Sequence, residues 1–354
     1  MKAIIVTPGS KNSVQLTKID PPRPKPNEVL LRIKKLGIDG TDRDINAGFY
    51  GAPPDGGKFL VCGHEALGII ETVGAKVRGF VTGDLVVPTV RRSCAENCLN
   101  CRNGQSDMCL TGHYFEHGIY KLHGFASEFA VTDADYLVRI PRELADVAVL
   151  LEPTSIVEKA LNQIYRIQNR MIWEPKTALM LGAGPIGQLG TLILRLRGLQ
   201  VFTVARRPVD DPKAQLISRS GAKYVDTKES SLDSIGQSFD IIIEGTGNAI
   251  VAADAMQHLA TNGAFCLLGV YDPEQLSIQA GDLFREMVLR NKLLFGSVNA
   301  NKSYFELGLK DFQLIKERFG NILTGLFSSI LKPEDYEKGF EPDPSEIKTV
   351  IDFS

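Results

Sequence analysis

No apolar run in this 354-residue chain approaches the ~20 residues that cross a bilayer. The best candidate, Leu192-Ile193-Leu194, is cut at once by Arg195, so a membrane-spanning protein is excluded. An excess of one charge is missing as well: 40 Lys and Arg stand against 42 Asp and Glu, a net of -2. No global field therefore draws nucleic acid or an anionic membrane. Secretory features are lacking, since the apolar stretch in MKAIIVTPGS is stopped by Pro8 and Gly9 before it can serve as a signal core. It reads instead as a first β-strand. What is present, 44% hydrophobic and 23% charged residues, is a globular composition with room for two domains. The expected setting is cytoplasmic, and the expected partners are small molecules or copies of the chain itself.

Two textures follow one another. From Glu28 to about Ile140 short strands are punctuated by glycine and proline: EVLLRIKKLGI, LGIIETVGA, DLVVPTV and FASEFAV. From Ala178 strands alternate with helices, and the runs ALML and IIIE are continuously apolar, as in strands buried on both faces of a parallel sheet. Ile186, Leu189, Ile193 and Leu196 recur at helical spacing on one face. The fold class is therefore α/β, a β-rich body followed by a doubly wound parallel-sheet domain. After Gly296 a charged helical stretch, YFELGLKDFQLIKERFG, leads to a strand-like KTVIDF.

Gly182-Ala183-Gly184-Pro185-Ile186-Gly187 lies between a buried strand and an amphipathic helix. The first glycine permits a tight turn, the second lets the backbone approach a pyrophosphate, and the third lets helix and strand pack closely. This context predicts a dinucleotide site. At the tip of the next strand, where NAD-specific folds carry an Asp or Glu for the ribose hydroxyls, the sequence has Ala205-Arg206-Arg207. Two guanidiniums can clamp a phosphate there, which favours NADP and leaves use of NAD open. The alternative is a solvated basic corner.

Four of the six cysteines crowd together as Cys94-x3-Cys98-x2-Cys101-x7-Cys109. Four thiolates satisfy tetrahedral zinc and leave no open position, the pattern of a structural site. Two disulfides are the alternative, disfavoured in a reducing compartment. Cys62 and Cys266 read as small buried hydrophobes. Of five histidines, only His64 stands beside an acid in a glycine-framed turn, CGHEALG over 62–68. Asp39 in GIDGTD (37–42), Glu65, and Glu152 at the junction of the two textures complete a candidate oxygen and nitrogen zinc site with an open position for Lewis-acid catalysis.

These motifs in this order resemble the zinc-containing medium-chain dehydrogenase superfamily, and the sequence looks most like its archaeal-type glucose dehydrogenases. The further segments carrying the likeness are GIDGTDRD (37–44), PTVRR (88–92), GHYFEHGI (112–119), YLVRIP (136–141), LEPTSIVEKA (151–160), REMVLRNK (285–292) and GSVN (296–299). The resemblance implies a GroES-like catalytic domain over 1–157 and 300–354, with a structural zinc lobe at about 91–112, and a Rossmann NADP-binding domain over 158–299. Asp39 departs from the Cys that most superfamily members carry as first catalytic ligand. The resemblance further implies oxidation of an aldose (glucose, galactose or xylose) at C1 to its lactone. Thr41 would relay a proton or bind the sugar, Glu116 and Glu152 would bind sugar, and Asn299 both sugar and cofactor. Leu268, Gly269, Val270, Ser297 and Val298 would offer backbone to the nicotinamide half. A homotetramer, or else a dimer, is implied by the same likeness. Blander readings stand beside these roles: Thr41 as the cap of a helix starting at Asp42, Glu116 as a solvated loop acid, Asn299 as a turn residue. The rival functions are a polyol, secondary-alcohol or threonine dehydrogenase and a catalytically silent NADPH-binding protein.

Overall fold

The computed structural model describes residues 1–271, 276–341 and 343–354. The chain divides into two compact units. One comprises Met1–Ser155, Asn299–Lys310 and Phe327–Ser354, the other Ile156–Val298 and Asp311–Leu326.

The strand Glu28–Ile38 organises the first unit. It pairs along one edge with Glu65–Val73, and along the other first with Phe129–Asp133 and then with Lys348–Asp352, all antiparallel. Val29, Leu31 and Ile33 alternate into a core with Ile4, Ile70, Val86 and Phe125, as a half-buried strand should. A register shift between Ile33 and Lys35 then moves the buried set to Leu36 and Ile38, the expected effect of one extra residue in a ladder. At the far end Gly37 lies opposite both Glu65 and Val350, and Ile38 opposite Thr349. One strand end thus gathers segments around positions 39, 65 and 348.

The second unit holds a six-stranded, all-parallel sheet in the order Lys223–Asp226, Gln200–Ala205, Thr177–Leu181, Phe239–Glu244, Leu259–Leu267, Leu293–Gly296. Ala178 to Leu181 and Ile241 to Ile243 are wholly buried, as their continuous apolar runs require. The expected α/β class with a doubly wound sheet is borne out. The helix Pro185–Leu196 is more deeply set than a one-faced amphipathic helix: every residue from Gly187 to Leu194 is buried, while Ile186 and Leu196 are only half-buried. Gly190 makes this depth possible, because a Cβ there would stand 2.8 Å from Met180 Sδ.

The terminal KTVIDF forms the strand Lys348–Asp352 of the first unit. Asp311–Leu326, expected to lie with it, groups with the parallel-sheet unit instead. Asp311 there forms an ion pair with Arg197 at 2.6 Å, which ties the second half of the helix Lys302–Phe319 to that unit.

Candidate active site and metal centres

Asp39 follows the organising strand and caps the helix Gly40–Asn46. Its Oδ1 accepts the Asp42 N–H at 3.1 Å, while Asp42 Oδ2 accepts the Asp39 N–H at 3.3 Å, a reciprocal capping box. The helix therefore starts two residues before Asp42, and Asp39 rather than Thr41 is its cap. Asp42 Oδ1 also accepts the Gly63 N–H at 3.0 Å, which ties this helix to the turn carrying His64.

With Oδ1 in the cap, Asp39 Oδ2 faces inward. It accepts the Thr41 hydroxyl at 3.2 Å and lies 3.6 Å from His64 Nε2. Ligand atoms of Asp39, His64 and Glu65 all fall within 4.8 Å of one another. Glu152 stands outside this trio, but it is buried and its charge acts on His64. Glu65 pairs with the buried Lys348 across the strand end. Only glycine fits between them, since a Cβ on Gly37 would collide with Glu65 Oε2 and stand 2.8 Å from Lys348 Cε.

The electrostatics are those of a site short of positive charge. Burial pushes Asp42 up to about 7 and Glu152 up to about 8, and it raises Glu65 as well. Burial also opposes ionised Asp39 and charged His64. Their mutual attraction outweighs it, so that Asp39 is held well below and His64 well above the ordinary value. Four carboxyls thus face one imidazole and one ammonium, and His64 Nδ1 is buried without a hydrogen-bond partner. A divalent cation would relieve both features, and the donor set of imidazole and carboxylate oxygens suits zinc.

The four-cysteine lobe comes together as well. Cys94, Cys98, Cys101 and Cys109 place their sulfurs within 4.8 Å of one another, and all six cysteines are unbridged. Backbone N–H groups point at three of the sulfurs: Leu110 to Cys98 at 3.4 Å, Cys98 to Cys94 at 3.3 Å, and Cys94 to Cys101 at 3.4 Å. The bonds to Cys98, led by that from Leu110, bring its thiol down to about 6. Such donors stabilise thiolate, the form that binds metal. The extra residue in Cys94-x3-Cys98 is absorbed in a loop where Asn97 adopts a positive φ of 48°. Cys62 and Cys266 are buried apart from this cluster, as expected.

Glu116 and Asn299, far apart in sequence, meet in the first unit. Asn299 Nδ2 donates to Glu116 Oε1 at 2.9 Å, and both residues are buried. Glu116 is thus not a solvated loop acid. Asn299 does turn the chain, at φ 58°, and the turn is what aims its amide.

In the second unit, Gly182 sits at φ 104°, and a Cβ on Gly187 would collide with the Gly182 carbonyl, whereas one on Gly184 would meet nothing within 4 Å. Gly184 is the N-cap of the helix Pro185–Leu196 and gives it no side-chain cap. Its first N–H groups are therefore open to an anion. Ala183 is buried beneath this turn. Ala205 ends its strand, with Arg206 exposed just beyond it and Arg207 half-buried. Leu268, Gly269 and Val270 follow the strand Leu259–Leu267, and Ser297 and Val298 follow Leu293–Gly296. All of these lie at carboxyl ends of parallel strands, the side where such sheets bind ligands.

Two family profiles cover nearly all of the chain: the alcohol dehydrogenase GroES-like domain over residues 25–142 and the glucose dehydrogenase C-terminus over residues 145–353. Glucose 1-dehydrogenase 1 of Caldivirga maquilingensis is 45% identical across 100% of this chain and 99% of its own length. The chain belongs to the glucose dehydrogenase family of zinc-containing medium-chain dehydrogenases. It is an oxidoreductase. Glucose 1-dehydrogenase of Thermoproteus tenax is 40% identical over 99% of both chains. Among solved structures, Haloferax mediterranei glucose dehydrogenase in complex with NADP, Zn and gluconolactone has a TM-score of 0.91 and 36% identity, covering 100% of this chain and 99% of that one.

Sequence reasoning missed four residues of this glucose dehydrogenase family member's candidate site. Lys348 and Arg91 reach it through long-range pairing that no local pattern reports. Asp42 had a visible signal, the Asp39-x-x-Asp42 spacing of a capping box. Tyr50 is about half exposed, yet its phenol is held above the ordinary value, first by the desolvation around it and then by the charges of Glu116 and Asp39. An open cavity of about 690 Å³ in the second unit is lined by Ile250, Leu276, Ile278, Leu283, Met287 and others, none of them among the predicted cofactor residues.

Proposed function

We propose that this enzyme oxidises an aldose, D-glucose foremost and D-galactose or D-xylose as further candidates, at C1 to the aldonolactone, with hydride transfer to NADP. The observation that carries the reading is the grouping of Asp39, His64 and Glu65, the last two buried, in the unit that also joins Glu116 to Asn299. The Haloferax relative, which holds NADP, zinc and gluconolactone, supports it.

Asp39 and His64, with Glu152 and with Glu65 as an additional or exchangeable ligand, would hold the catalytic zinc. When bound, zinc supplies Lewis-acid stabilisation of the charge that develops on the C1 oxygen. Thr41, whose hydroxyl donates to Asp39 Oδ2, would either bind the sugar or relay the proton that leaves that hydroxyl by passing its own to Asp39. Glu116 and Asn299 offer an acceptor and a donor to the sugar hydroxyls, which are costly to bury unmatched, on the order of 1–3 kcal/mol each. Cys94, Cys98, Cys101 and Cys109 would hold a second, structural zinc. Gly182 to Gly187 would seat the pyrophosphate, and Arg206 with Arg207 the 2′-phosphate, with NAD as the weaker cofactor.

The proposed setting is cytoplasmic, because a four-thiol lobe stays unbridged under reducing conditions. The proposed assembly is a homotetramer, or else a dimer. The helix Ala280–Leu289 buries none of its residues and exposes Phe284, Val288 and Leu289 beside the edge strand Leu293–Gly296, features that copies of the chain would cover. A solution mass equal to one chain would remove this assembly.

A steady-state panel on zinc-loaded protein tests the activity. Glucose, galactose, xylose, polyols, secondary alcohols and threonine are compared by kcat/KM with NADP and with NAD. Sugars should lead with NADP. A higher kcat/KM for a simple alcohol, polyol or threonine would sink the sugar assignment, and no turnover at all would favour the silent NADPH-binding reading.

A further inference from the structure

Glu244 ends the strand Phe239–Glu244, is wholly inaccessible to solvent, and has no role in the site described above. Its carboxylate is nonetheless the hub of the second unit's binding edge. Oε1 accepts the Thr246 N–H at 2.5 Å, the Thr246 hydroxyl, and the Gly247 N–H at 3.1 Å. Oε2 accepts the Tyr271 hydroxyl at 2.6 Å and a second, longer approach of the Gly247 N–H at 3.3 Å. The backbone carbonyl of the same residue takes the Leu268 N–H at 2.8 Å and the Gly269 N–H at 3.3 Å. One residue therefore grips two loops, 245–248 and 268–271, that leave adjacent parallel strands.

The loops also interlock. A Cβ on Gly269 would collide with the Gly247 nitrogen and stand 2.6 Å from Glu244 Oε2, and a Cβ on Gly247 would stand 2.5 Å from the Val270 carbonyl. No side chain fits between them, so the spacing is set by the carboxylate. Charge-assisted hydrogen bonds are strong enough to fix such a seat, and Val270 at its rim is 86% exposed.

Sheet order decides which part of a ligand this seat meets. The glycine turn follows the strand Thr177–Leu181, whose neighbours are Gln200–Ala205 on one side and Phe239–Glu244 on the other. Arg206 and Arg207 lie on the first side and would take the adenosine half. The remaining half of a dinucleotide must then lie toward Phe239–Glu244 and Leu259–Leu267. We infer that Glu244 is a positioning residue that fixes loops 245–248 and 268–271 as one seat for the nicotinamide half of the cofactor.

This inference rests on the NADP reading, and one binding experiment separates the two. Dissociation constants are measured by calorimetry for NADP and for adenosine 2′,5′-bisphosphate, which carries only the adenosine half, on the full-length protein and its Glu244→Gln variant. The variant should bind NADP about tenfold more weakly, the equivalent of one lost charged hydrogen bond, and bind the bisphosphate as the wild type does. Equal losses for both ligands, or no loss for either, would overturn the clamp. Wild-type protein that binds neither ligand would overturn the NADP reading beneath it. If Glu244→Gln does not fold, as judged by circular dichroism, Thr246→Val and Tyr271→Phe carry the same test. A smaller but still NADP-selective loss in each supports the seat, and equal or absent loss refutes it.

Discussion

Arg91 donates from Nε to Glu116 Oε1 at 2.9 Å, and both side chains are almost fully buried. Asn299 donates to the same oxygen, so two donors converge there, and the Arg91 guanidinium lies 3.6 Å from the centre of the Tyr114 ring. The carboxylate is thereby held in one orientation, and Arg91 does this without itself needing to touch a substrate.

The pair predicts a split between substrate and cofactor. Arg91→Lys keeps the charge but loses the planar fork and its stacking, so Glu116 should lose its fixed aim. KM for glucose should rise about tenfold, the equivalent of about 1.4 kcal/mol, with the dissociation constant of NADP unchanged. An unaltered sugar KM would show that Glu116 is not a sugar contact.

The two metal sites should separate cleanly under mutation. His64→Ala removes a ligand from the open site and leaves the cysteine lobe whole. Metal analysis should fall from about two zinc ions per chain to about one, turnover should disappear, and NADP should still bind. Cys98→Ser should instead lower the melting temperature, because a structural zinc contributes folding energy outright. If His64→Ala keeps its turnover, the proposed chemistry is wrong.

Cofactor choice is predicted to rest on Arg206 and Arg207. Replacing both with serine removes the charge-assisted bonds to a 2′-phosphate, on the order of 1.5–3 kcal/mol. The ratio of kcat/KM for NADP over NAD should fall roughly 10- to 100-fold, mainly through the KM of NADP. Equal loss for both cofactors would show that the pair serves the fold rather than the phosphate.

What was legible in the sequence was what is local. The run Gly182 to Gly187 and the cysteine lobe are short segments whose chemistry is written in their spacing, and His64 with Glu65 is a single turn. The continuous apolar runs at Ala178 and Ile241 announced a sheet buried on both faces. Lys348 was not legible, because it joins Glu65 only through the pairing of Lys348–Asp352 with Glu28–Ile38, and no local pattern encodes that pairing. Arg91 and Asn299 meet at Glu116 for a similar reason, and the resemblance supplied the second of them but not the first. The alternative of Thr41 as the cap of a helix starting at Asp42 fails because Asp39, a ligand candidate by its residue type, also caps the helix with one of its oxygens, which moves the start to Gly40.

Stability within the parallel-sheet unit should depend on the protonation of Glu158. Glu158 is 2% exposed and shares Arg197 with Asp311, at 3.2 Å and 2.6 Å respectively. Burial, reinforced by Asp311, pushes Glu158 up to about 9 from an ordinary value of 4.5, with Arg197 pulling the other way. The folded protein therefore holds a proton that the unfolded chain has already released across that interval. The resulting stabilisation is complete below about pH 4.5 and is lost as the pH rises through about 9. Glu158→Gln mimics the protonated acid at every pH. Its melting temperature should accordingly fall less than the wild type's between pH 5 and pH 9. Parallel melting curves for the two proteins across that range would show that Glu158 is ionised throughout and that Arg197 alone balances both acids.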